Sequence, residues 1–191
     1  MDSGERKSTF FYRNLAKGLI WLAVIVLLFI FAKHNVDKEL ILKFEPIYER
    51  TGLILVIFSL SELIIGIIPP EFFLIWSLRS GDLHTFLVYT VILTLISYFA
   101  GLAAYFFGRY LHNTRLYRYL RDRYLQKTEI LLQEYGLYLI LVAALTPVPF
   151  SGVAMLVGSV HYPVKNYIYW SLSRFIKFAI SAYVIWEANM I

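Results

Sequence analysis

The stretch "SELIIGIIPPEFF", Ser61 to Phe73, sets two carboxylates and a proline pair inside sequence otherwise as apolar as a membrane span. Glu62 and Glu71 can hold protons, pair with cations, or act together as an acid/base pair. Nothing in the sequence sets a nucleophile or a metal beside them. The four histidines, His34, His84, His112 and His161, stand at the edges of apolar blocks without HExxH or other ligand spacing, which argues against a zinc protease. No Gly-x-Ser-x-Gly elbow and no Walker loop occurs, so a serine hydrolase on that plan and direct ATP use are not expected. Cysteine is absent, which removes disulfides and thiolate metal sites. The expectation is a protein that is not an enzyme and carries no metal or cofactor.

The elements that hold these carboxylates follow from composition. Over 191 residues, 59% hydrophobic residues, 18% aromatics and a mean hydropathy of +0.64 exceed what a soluble domain carries. The apolar residues fall in blocks of fifteen to thirty, which favours spanning helices over a barrel and predicts an all-α integral membrane protein. The first block, Gly18 to Ala32, follows a basic leader with Arg6, Lys7, Arg13 and Lys17. Because "FIFAKHN" puts Ile30 three residues upstream of any cut after Ala32, the block reads as an uncleaved transmembrane helix with a cytoplasmic N-terminus. Lys33 to Arg50, with four basic and four acidic residues, suits an external connection or an interfacial helix and closes a first region, 1–50.

Charge decides how the later blocks cross. If each crossed once, Arg109 to Lys127 would lie outside with six Lys or Arg, the densest basic cluster of the chain. If the second block instead dips in and returns, the cluster becomes cytoplasmic. Backbone chemistry agrees: the second block carries Pro69 and Pro70 at its middle and the fourth carries Pro147 and Pro149. Proline ends one helix and starts another, so each of these blocks is two half-helices. A half of about thirteen residues reaches about 20 Å, short of a full crossing, and the unpaired backbone at its tip must line a cavity. The order is a re-entrant hairpin 51–80, a span 85–108, a cytoplasmic amphipathic segment 109–134, a second hairpin 135–160 and a span 163–187. Hairpin plus span occurs twice from opposite sides, the pattern of an inverted repeat behind an additional N-terminal transmembrane helix. Two proline-kinked ordinary helices are the plainer alternative.

These motifs, in this order, resemble the DedA/VTT family of membrane proteins, also called SNARE-associated Golgi proteins. "SELIIGIIPPEFF" resembles its acidic first re-entrant motif, "YFAGLAAYFFGRYL" its small-residue span ending in Gly-Arg, here Gly108-Arg109, and "LTPVPFSGVAMLVGSV" its second hairpin with the small pair Val157-Gly158. The resemblance covers about Thr51 to Trp186 and makes 51–191 one VTT-like domain. Many members carry arginines around the second hairpin's prolines, where this chain has Ala144 and Phe150. A subgroup with a TPxP tip is more similar, and its basic residues in the following span correspond to Arg174 and Lys177.

Depth fits that correspondence. Arg174 stands eleven residues past Pro163, about 17 Å along a helix, and Lys177 lies one turn further on the same face. Intramembrane cations face a partner or a watered cavity, and the partners at similar depth are Glu62 and Glu71. A buried network that staples the first hairpin to the last helix is the plain reading. The sharper one has it open to water, move an anionic head group, and couple that movement to protons through a glutamate. The half-helix that starts at "PFSG" adds free N–H groups and Ser151 as a further donor, whereas Glu71 occupies the corresponding place of the first hairpin. Small-residue packing explains Ser151-Gly152 equally well. In "RLYRYLRDRYLQK", Leu116, Leu120 and Tyr124 share one face among arginines, an interfacial helix that attracts anionic lipid; its place between membrane blocks argues against nucleic acid.

The resemblance implies a scramblase- or flippase-like translocator of phospholipid or of a polyprenyl-phosphate carrier lipid, with or without proton coupling. The residues alone indicate a charged, broken-helix cavity suited to an amphipathic anion. The alternatives are a non-transporting membrane assembly factor and an ion-coupled small-solute transporter. The expected partners are membrane lipids with anionic head groups, and a homo-oligomer is compatible. The basic flanks suit a bacterial cytoplasmic (inner) membrane, and an organelle membrane would look similar.

Overall fold

The computed structural model describes residues 50–190 except 65, 67, 113, 115–125 and 147, together with scattered positions among the first 27. The expected first span and its external connection, apart from isolated positions, lie outside the described residues, as do the centre of the amphipathic segment and Pro147. The elements described are seven α-helices and one 3-10 turn, an all-helical arrangement.

The first apolar stretch forms α1, Thr51–Ile64, and then breaks. At the break Gly66 takes φ +73, a left-handed conformation that glycine adopts without a Cβ penalty. Ser61 receives two of the amides freed there: the Gly66 amide donates to its carbonyl (2.7 Å) and the Ile68 amide to its hydroxyl (3.0 Å). Pro69, at φ −55 and ψ 132, precedes α2, Pro70–Ser77, whose first residue needs no amide and is therefore proline at little cost. Phe58 of α1 and Phe73 of α2 pack with ring centroids 4.7 Å apart, closing the hairpin. A 3-10 turn, Leu78–Ser80, ends at Gly81 with φ +67.

Asp82 then caps α3, Leu83–Leu111, by accepting hydrogen bonds from the Thr85 amide and hydroxyl, both at 2.9 Å. At 29 residues α3 is about 44 Å long, more than the roughly 30 Å of a bilayer's hydrocarbon core. It is the one helix among the described residues long and apolar enough to cross a membrane.

Next comes α4, Gln126–Leu145, which begins inside the polar stretch expected to end at 134, and its end is marked by the Thr146 hydroxyl donating to the Val142 carbonyl (2.6 Å). Pro149 precedes α5, Phe150–Ser159. The turn after α5 is a Schellman cap: the Tyr162 amide reaches the Val157 carbonyl and the His161 amide the Gly158 carbonyl, with His161 at φ +55 where glycine is usual.

The expected single last span, 163–187, is instead two helices, α6, Val164–Ser171, and α7, Ser173–Met190. No proline or glycine breaks them. The hydroxyls of Ser171 and Ser173 fold back onto the carbonyls of Ile168 (2.9 Å) and Trp170 (2.7 Å), and such back-bonding bends a helix. The bend puts Arg174 in the first turn of α7.

Two buried cores flank α3. One joins Phe58, Phe73, Leu74, Leu93, Phe178 and Ile185; the other joins Tyr105, Ile140, Phe150, Val157 and Tyr167. The closest helix crossing is between α3 and α5. A Cβ on Gly108 would strike the Met155 backbone, and one on Gly158 would strike the Tyr105 backbone. The Gly of the Gly-Arg pair is thus a packing residue, as small residues are where membrane helices touch. Outward faces carry Leu87, Val91, Phe99, Phe106, Ile176 and Ile180, an apolar exterior fit for lipid contact.

A buried charge cluster as the candidate functional site

Glu62 enters the core from the last turn of α1, Glu71 from the first turn of α2, and Arg174 and Lys177 from the first turns of α7. Their relative exposures are 1%, 0%, 2% and 4%, so four charges are sealed together, two of each sign. A buried ion survives only when paired and hydrogen-bonded, and the two pairs meet that demand unequally.

The first pair is fully bonded. The Arg174 Nη2 donates to both Glu62 carboxylate oxygens, at 2.8 and 2.7 Å, and its Nε donates to Ser97 Oγ at 2.5 Å. Its guanidinium lies 4.3 Å from the Phe150 ring centroid and 5.7 Å from that of Phe178, stacking that favours arginine over lysine here.

The second pair is not. Lys177 Nζ stands 3.1 Å from Glu71 Oε1, and among the described residues Glu71 has no further hydrogen-bond donor, where Glu62 is held twice by one guanidinium nitrogen. The hydroxyl of Ser181, one turn past Lys177, is unpartnered. Glu71 does lie at the amino end of α2, where the helix dipole favours its charge.

The sequence-derived residues therefore separate into groups. Glu62 pairs with Arg174 and Glu71 with Lys177. Pro69, Pro70 and Pro149 stand where α2 and α5 begin. The two breaks are neighbours: a Cβ built on Gly66 would lie 3.8 Å from Pro149 and from Phe150. Arg109 is apart from the charges; its Nη1 reaches the Tyr105 hydroxyl at 3.3 Å, and that hydroxyl donates to the Tyr162 carbonyl, steadying the turn after α5. Ser151 makes no hydrogen bond and lines a separate cavity between α1, α3 and α5.

Ser97, Phe150 and Phe178 complete the Arg174 site and were not singled out from sequence. A signal for Ser97 existed. Thr90, Thr94 and Ser97 recur at helical spacing in a span without charges and all three are buried, a polar stripe on an apolar helix. Arranged this way, the cluster can anchor α7 to the first hairpin through one pair while keeping an ionisable, incompletely bonded pair in reserve.

A family model described as the VTT domain matches residues 63–187, a stretch that takes in Glu71, Arg174 and Lys177. No curated protein and no solved structure gave a significant match.

Proposed function

The chain belongs to the VTT-domain family, and on that premise we propose that it moves lipids with anionic head groups, phospholipid or polyprenyl phosphate, between the leaflets of a bacterial cytoplasmic membrane. The observation that carries this reading is the Glu71–Lys177 pair: two sealed, opposite charges whose carboxylate is held, among the described residues, by the Lys177 ammonium alone. Glu62–Arg174 is the strut; Glu71–Lys177 is the working pair. In this reading the sealed pair opens when α7 parts from α1 and α2, and the Lys177 ammonium then exchanges the Glu71 carboxylate for the phosphate of a passing head group. Closure restores the pair and frees the lipid. The reading needs no metal or other cofactor.

In this proposal α1–α2 and α4–α5 enter the bilayer from opposite faces as re-entrant hairpins. The apolar lengths support it: α1 with 14 residues is about 21 Å long, α5 with 10 about 15 Å, and the apolar part of α4, Tyr135–Leu145, about 17 Å, each short of the hydrocarbon thickness. Meeting breaks at Gly66 and Pro149 support it too. The arrangement predicts sidedness, and the cysteine-free chain makes that measurable. An impermeant thiol reagent should label Gly81→Cys from the outside and His112→Cys from the cytoplasm; the reverse pattern would overturn the arrangement.

The activity is tested in liposomes. Purified protein should accelerate transbilayer movement of labelled phosphatidylglycerol or undecaprenyl phosphate. Glu71→Gln, assayed on the fraction that keeps the native helical circular dichroism signal, should slow it at least about tenfold, equivalent to about 1.4 kcal/mol of lost differential binding. No acceleration by the unaltered protein of either lipid, with Glu71→Gln indistinguishable from it in cells, rules translocation out.

A further inference from the structure

We infer that the amino end of α5 and the cavity beside its first two turns form a seat for the phosphate of a membrane lipid, separate from the charge cluster. This rests on the lipid-translocation reading and names where that lipid docks.

The first turn of a helix leaves amides without intrahelical partners. At α5 these belong to Phe150, Ser151 and Gly152, since the Val153 amide is the first to bond back, to the Pro149 carbonyl at 3.2 Å. Pro149 supplies no side-chain cap and the first turn holds no acid. The corresponding end of α2 is already occupied by Glu71.

A second observation points to a ligand. Ser151 is 2% exposed and its hydroxyl has no hydrogen-bond partner among the described residues, an arrangement that buried hydroxyls rarely keep without something to bind. The cavity it lines, with Leu63, Ile64, Ala103, Phe107 and Gly152, has a volume of about 490 Å³, within the range of small-ligand sites.

The lining selects the ligand. Of the lining residues, Ser151 and Gly152 belong to the α5 first turn, whose unpartnered amides and hydroxyl suit a phosphate oxygen. Everything else is apolar, and Leu63, Ile64 and Phe107 are 50%, 61% and 54% exposed on the face that meets lipid. A phosphate can sit inside while its chains remain in the bilayer; a free phosphate would lose its hydration and gain no apolar contact. Arg174 adds a positive charge from beyond the Phe150 ring, next in sequence to Ser151, without touching the seat.

Binding to the purified full chain in non-ionic detergent, read by calorimetric titration, tests this without flipping. Dioctanoyl phosphatidylglycerol should bind, and dioctanoylglycerol and inorganic phosphate should bind at least about tenfold more weakly. Ser151→Ala should weaken phosphatidylglycerol binding about tenfold, one charge-assisted hydrogen bond, and Ser151→Thr, which keeps the hydroxyl, should bind nearly as the native chain does. Gly152→Asp, which sets a carboxylate in the first turn, should abolish binding. Equal binding of dioctanoylglycerol or inorganic phosphate, or native binding by Ser151→Ala, overturns the seat. The two readings fail separately. A chain that binds phosphatidylglycerol through Ser151 but flips no lipid keeps the seat and loses translocation; one that flips lipid while Ser151→Ala binds normally does the opposite.

Discussion

Arg174→Gln is expected to cost about 3–5 kcal/mol of folding free energy. Removing the guanidinium leaves Glu62, 1% exposed, charged and without its cation in the interior. It also takes the donor from Ser97 and the stacking from Phe150 and Phe178. The loss belongs to the broken pair more than to the pair itself. Glu62→Leu combined with Arg174→Met should therefore recover most of it, since an apolar pair of similar volume carries no desolvation cost. Arg174→Lys should recover only part, because one ammonium cannot reach Ser97 and both Glu62 oxygens from the same stem. Unfolding in detergent, followed by far-ultraviolet circular dichroism, measures all three. An Arg174→Gln chain within about 1 kcal/mol of the native one would show that the cluster carries no folding role.

Gly158→Ala is expected to destabilise by about 1–3 kcal/mol despite the roughly 1 kcal/mol by which alanine favours a helix. The added methyl meets the Tyr105 backbone carbonyl, which cannot rotate away as a side chain can, so α3 and α5 must separate. Gly108→Ala should act the same way through the Met155 backbone and, because both substitutions push one crossing apart, the double variant should lose less than the sum. Gly52→Ala is the control: nothing lies within 4 Å of its built Cβ, and the substitution should be neutral or slightly stabilising. If Gly158→Ala and Gly52→Ala unfold alike, the crossing is looser than its backbone distances indicate.

What could be read from the sequence follows from which physical demands are local. Proline's missing amide is local, so the breaks at Pro69-Pro70 and before α5 were predictable, and the match of the family to 63–187 covers both. That buried carboxylates require buried cations is a matter of dielectric, and it joined Glu62 and Glu71 to Arg174 and Lys177. Which pairs with which depends on how α7 crosses α1 and α2, and no spacing along the chain encodes a crossing. The bend at Leu172 was hidden for a different reason: serine hydroxyls made it, and the same residues are acceptable inside a straight helix. Gly108 and Arg109 look like one motif in sequence, yet the first admits a neighbouring backbone and the second reaches a tyrosine hydroxyl. Only packing divides them.

The separation along the chain of each ion pair has a consequence for biosynthesis. Glu62 and Arg174 are 112 residues apart, and among the described residues the first half of the chain buries two carboxylates and no cation, the second half two cations and no carboxylate. At ribosomal rates of about 5–20 residues per second, the carboxylates are made on the order of ten seconds before their counter-ions. Charged residues at the centre of an inserting helix cost about 2.5–3.5 kcal/mol each. In the proposed membrane arrangement, full insertion of α1 and α2 therefore follows the arrival of α7, which brings their counter-ions. Expressed alone, either half would hold two like charges without the counter-ions that the other half supplies.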